Sequence, residues 1–234
     1  DRSGCGSLVV QLFAEITRRG LADYRDELRR AAGVFVREGG LFGSTNTDTE
    51  DPNENVSYAI GYLAFDLAAE VLGDATLARF AHEKCLLPLQ QFEMTRDVNG
   101  LETKGLLYME ESWNSCCMWE MALAASAWLR AYGKTRQRWI AGKALTILRG
   151  MAKHHHGDLG YLTEAVDWDG HSVKSRHFEQ ARYSDIETTH PLLNNLHVLE
   201  PTVTYLERFA HRLPEADGRT GLYDFEGNWI YTIG

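Results

Sequence analysis

Cysteine is scarce in this chain: four residues in 234, with Cys116 and Cys117 adjacent and no Cys-x-x-Cys pair. That excludes a thiolate zinc site and a disulfide framework as the basis of the fold. Positive charge is in deficit as well, 24 Lys plus Arg against 33 Asp plus Glu, for a formal net charge of −9. Nothing forms a basic stripe, which argues against nucleic acid and anionic membrane as partners. No apolar run approaches the roughly 20 residues that a bilayer span needs. The chain opens on Asp1 without an ordered n-region, h-region and cleavage site, so a processed or truncated chain is expected; with reduced thiols, this favours the cytoplasm.

What is present fits one globular core over residues 1–234. The composition, 44% hydrophobic and 24% charged, is too apolar for disorder and too evenly charged for a fibre. Aromatic side chains are plentiful, with 6 Trp, 10 Tyr and 9 Phe. Most belong in a core, but planar side chains can also stack on sugar rings.

Helical periodicity dominates, so the fold class is all-α. Residues 7–19 place Leu8, Val9, Leu12, Phe13 and Ile16 on one face, and 22–37 carry a stripe of Tyr24, Leu28, Ala32 and Val36. Residues 55–72 are apolar nearly all round, the pattern of a buried helix. Residues 76–92 read as amphipathic, and 113–132 as an Ala-rich helix holding both Cys116 and Cys117, with Gly133 as its stop. Further helices are expected at 135–153 and 192–209. Strand patterns are short and lie in loops.

Polar-faced helices follow apolar ones, and the loops between them share a Gly-Leu or Gly-Tyr signature. Gly40, Gly105, Gly160 and Gly221 recur at intervals of 55 to 65 residues. Two helices and two loops fill such an interval, so each repeat is a helical hairpin. Hairpins that bury their inner helices against each other build an (α/α) toroid. A closed ring of six needs about half as many residues again, which makes an incomplete ring the expectation.

The densest polar constellation runs from Asp158 to Glu200. It includes the loop Gly160-Tyr161-Leu162-Thr163-Glu164-Ala165-Val166-Asp167, then His177, Arg182, Asp185, Glu187 and His190, and ends in Leu193-Asn194-Asn195-Leu196-His197-Val198-Leu199-Glu200. Asn194, His197 and Glu200 stand three apart, so neighbours in that series meet on one helix face. A histidine on an apolar helix needs a partner or a cavity. His154-His155-His156, beside Gly157, reads as a helix C-terminus favoured by the dipole rather than as a metal site. The acidic loop of Asp48, Glu50, Asp51 and Glu54 precedes an apolar helix and reads as solvated.

Gly-Tyr-x-x-Glu-Ala-x-Asp at 160–167, followed by Asn-Leu-His-Val-Leu-Glu at 195–200, resembles the N-acylglucosamine 2-epimerase superfamily, especially cellobiose 2-epimerases and mannose isomerases. The segments at 39–43, 71–74, 129–133 and 221–229 resemble the same family in the same order. The resemblance implies an (α/α)6 barrel and proton transfer at carbon 2 of a sugar, yielding an epimer or a ketose, without metal or redox cofactor. Such chemistry needs a general base, a general acid and a group polarising the carbonyl.

His197 holds the place of the family's pocket histidine, with Glu200 beside it; these are the candidate catalytic residues. Tyr58, Trp113, Arg182, Asn194 and Asn195 are the candidate substrate contacts. Trp113 is expected to face the cavity, and Trp119 to pack between helices. The family's other two proton-transferring histidines would fall beyond Gly234. Ile60 stands where the family has a pocket arginine, and Cys116 where it has a tyrosine. The partner implied is a mono- or oligosaccharide, and a homodimer is one assembly open to such a chain. Two rival readings stand beside this one. One is a glycoside hydrolase or polysaccharide lyase on a similar toroid, using a pair among Asp167, Asp169, Asp185 and Glu187; the other is a non-catalytic sugar-binding remnant.

Overall fold

The computed structural model describes residues 4–39, 54–98, 100–109, 115–154, 165–167, 191–209, 222–223 and 229–231. Over these the protein is mostly helical, with four short strands. The chain groups into two compact units, 1–89 and 90–234.

The first unit holds α1 (Gly4–Arg18), α2 (Arg25–Arg37), α3 (Asn55–Leu72), α4 (Ala75–Ala81) and the short α5 (Leu87–Leu89). α3 has the bounds expected from its apolar run, and Val56, Ala59, Phe65 and Ala68 on it are fully covered. The Phe65 ring meets Phe35 of α2 and Phe80 of α4 edge-on, each at 5.0 Å between centroids. Burying one such ring contributes about 1.5–3 kcal/mol. Gly73 ends α3 with φ +65, and the Asp74 amide returns to the Ala69 carbonyl at 3.0 Å. Asp74 then caps α4, its Oδ1 accepting from the amides of Thr76 and Leu77 at 2.9 and 3.0 Å.

Three expectations change here. α1 buries Ser7, Val10, Ala14 and Thr17, leaving Leu8, Val9 and Leu12 exposed. Small side chains at those positions let its backbone approach α3, on which it packs extensively. α2 buries Leu28, Ala32 and Phe35 rather than Val36. The helix expected over 76–92 is broken: α4 gives way to a π-turn at His82–Leu86, then α5, then a 3-10 turn at Gln90–Phe92. Pro88 has no N–H to return to position 84, so a wider turn is a natural accommodation.

The second unit is built on α6 (Met118–Thr135), α7 (Arg138–Lys153) and α8 (Pro191–Thr204), the last prolonged by a π-turn at Tyr205–Phe209. β1 (Ser115–Cys117) pairs antiparallel with β2 (Ala165–Asp167), and β3 (Leu222–Tyr223) with β4 (Trp229–Tyr231). Cys116 and Cys117 therefore belong to a strand, not to the helix that follows. Neither does Gly133 stop α6; the helix runs on to Thr135 and ends at Arg136 with φ 58. A Cβ at Gly133 would meet Phe209 Cζ at 3.6 Å, an ordinary contact distance, so Gly133 lies beside Phe209 without a close approach that demands glycine.

α6 packs against both α7 and α8. Trp119 meets His197 near the starts of α6 and α8, and Tyr132 meets Phe209 near their ends, at 5.4 Å. The two helices thus run in the same direction, with α7 as the intervening element. The Arg136 guanidinium lies over Tyr132 and Phe209, at 5.6 and 5.9 Å from their centroids.

Candidate functional site

His197 is half-buried on α8, and its ring lies 5.9 Å from that of Trp119, tilted by 48°. Trp119 is held from behind by Met109, Cys117 and Ala165. The β1–β2 ladder places two of these three, setting Cys117 opposite Ala165. Met109 is tied in through its amide, which donates to the Ser115 carbonyl at 2.9 Å, and its sulfur lies 3.8 Å from the Cys117 thiol. Ala165 and His197 therefore meet at one aromatic, although 32 residues separate them.

Glu200 is exposed one turn further along α8. Leu196, Leu199 and Val203 are also exposed, so α8 is not wrapped in an apolar core. Asn194 and Asn195 lie on α8 at positions where only the backbone is described. Trp113 and Arg182 lie outside the described residues, as do Asp169, Asp185 and Glu187. Tyr58 is half-buried on α3 of the first unit, and Ile60 is buried there.

Cys116 is wholly buried. Burial, aided by the negative charge of Glu120, pushes its thiol well above the ordinary range, so it neither gives nor takes protons near neutrality. His154 takes the C-cap position of α7, as the histidine run suggests. Its Nε2 lies 3.0 Å from the Glu102 carbonyl, and Lys153 reaches the Glu102 carboxylate at 3.0 Å. The residue thus fastens the helix end to a loop as well as closing the helix. Among the described residues no cluster of His, Cys, Asp or Glu is arranged to hold a metal ion.

A second polar centre escaped the sequence reading. Glu93 and Lys143 form an ion pair with both side chains almost fully buried. Burial pushes the Glu93 carboxyl above its ordinary range, and the Lys143 charge only partly opposes it. Fifty residues separate the two, so no local spacing marks the pair.

Compared with known proteins, the chain matches no family model and no curated sequence. No helix among the described residues is long and apolar enough to cross a membrane.

Proposed function

We propose that the protein is a carbohydrate 2-epimerase or aldose–ketose isomerase acting by proton transfer at carbon 2 of a sugar. The observation that carries this reading is the meeting of His197 with Trp119 on a platform that includes Ala165 of the 160–167 motif. Trp119 offers a face for the apolar side of a sugar ring, and His197 offers a proton donor or acceptor beside it. Parallel packing of α6 and α8, with α7 intervening, supports the toroid of helical hairpins on which the reading rests. In that toroid α6 and α8 are inner helices, and the His197–Trp119 contact opens on the ring centre. Cytoplasmic location and a sugar partner belong to the same proposal.

The test is incubation with mannose, glucose, N-acetylmannosamine and cellobiose in deuterated water. Deuterium at carbon 2 of recovered sugar is expected with at least one of them, and none with His197→Asn, whose helix content should match the parent by circular dichroism. Sugars recovered free of deuterium throughout would remove the proposal.

A further inference from the structure

A small void lies inside the second unit, walled mainly by apolar surface from Leu107, Trp128 and Ile147, with Gln90, Glu93, Lys143 and Thr146 also on its lining. Trp128 is among the most deeply buried side chains of the protein, at 1% exposure, and its indole Nε1 has no acceptor. Buried N–H groups in folded proteins nearly always have a partner, and ordered water supplies it where the protein does not. The void has about 10 Å³ available to the centre of a water-sized body. That is about one water and far less than any sugar or organic ligand requires.

We propose that this void is a buried hydration site holding a single water, which accepts the Trp128 indole N–H and completes the shell of the Glu93–Lys143 pair. Three of its lining residues carry groups that such a water, which needs two to four polar partners, can use: the Trp128 indole and the Lys143 ammonium donate, and the Glu93 carboxylate accepts. A water there gives the carboxylate a partner beside Lys143. It also links α6, which bears Trp128, and α7, which bears Lys143, to the segment that bears Glu93. The site stands apart from the sugar chemistry proposed above and does not depend on it.

A crystal structure of the full chain at atomic resolution decides the matter. The expected result is one density peak within hydrogen-bonding distance of Trp128 Nε1 and of the Glu93 carboxylate. An empty void, or a protein acceptor on the indole, would overturn the proposal. In solution, a dipolar cross-peak between the Trp128 indole proton and the water resonance is expected, distinguished from exchange by its sign in the rotating frame. Its absence counts against a resident water. Trp128→Phe keeps the bulk of the ring but removes the donor, so the density peak should vanish or weaken sharply. A peak of undiminished strength in that variant would show that the indole does not hold the water.

Discussion

The residue with the most at stake for stability is Lys143. It reaches Glu93 where neither side chain sees solvent, so each charge depends on the other. Removing one member of a buried pair leaves an uncompensated charge and costs about 3–5 kcal/mol, whereas replacing both with apolar groups is often neutral or better. Lys143→Met should therefore lower the unfolding free energy by about that amount. The double variant Glu93→Leu/Lys143→Met should recover most of it, as urea titration of the two proteins would show. Equal destabilisation in both variants would mean that packing, not charge, sets the effect. His197 poses a different question, because partial exposure frees it from the core. Its replacement by Asn should leave the urea midpoint nearly unchanged while deuterium incorporation disappears.

Among the elements, α3 was the most legible in the sequence, because burial on all sides leaves an unbroken apolar run and Gly73 marks its end. The two helices of the α6–α7 hairpin were legible, but the bounds of α6 were not, since Cys116 and Cys117 fall in β1 and Gly133 does not stop it. Harder to read was anything set by distant chain: a three-residue strand at 115–117 has no signature of its own, since its partner lies fifty residues away. α1 misled because the leucines of its apolar stripe, Leu8 and Leu12, are exposed, while the face it buries carries Ser7, Val10, Ala14 and Thr17. The contact of His197 with Trp119 follows the same logic. Either residue could be singled out alone, but only the packing of α8 on α6 joins them.

α7 yields a prediction at this scale. A Cβ at Gly150 would run into the Leu106 side chain, which is itself fully buried and has no room to turn away. Gly150→Ala gains helix propensity of roughly 1 kcal/mol but overpacks the contact by about 1–3 kcal/mol. The variant should be no more stable than the parent despite a better helix former, and Leu106→Ala added to it should cost less than Leu106→Ala alone. Additive thermal shifts in that cycle would refute the clash.

For the whole molecule, pH should act on the two units in opposite senses. Burial holds the His82 imidazole below its ordinary value, with the charges of Glu83 and Asp66 opposing. The first unit accepts the neutral ring, so this contribution is intact above about 6.5 and is lost as the pH falls below it. Glu93 has a raised value, so the second unit is favoured below about 4.3, and that contribution is lost as the pH rises through the raised value. Going from pH 7 to pH 5 should weaken residues 1–89 and leave residues 90–234 unchanged or firmer. His82→Gln should flatten the first trend alone.

The boundary at Leu89 and Gln90 has an optical consequence. All six tryptophans, from Trp113 to Trp229, lie on its far side, and residues 1–89 contain none. Indole emission therefore originates in the second unit alone, while far-ultraviolet dichroism sees the helices of both. A urea titration read in the two signals at once assigns each transition to its unit without a label or a truncation. Under mild acid the dichroism curve should begin to fall while the fluorescence is still that of the native protein.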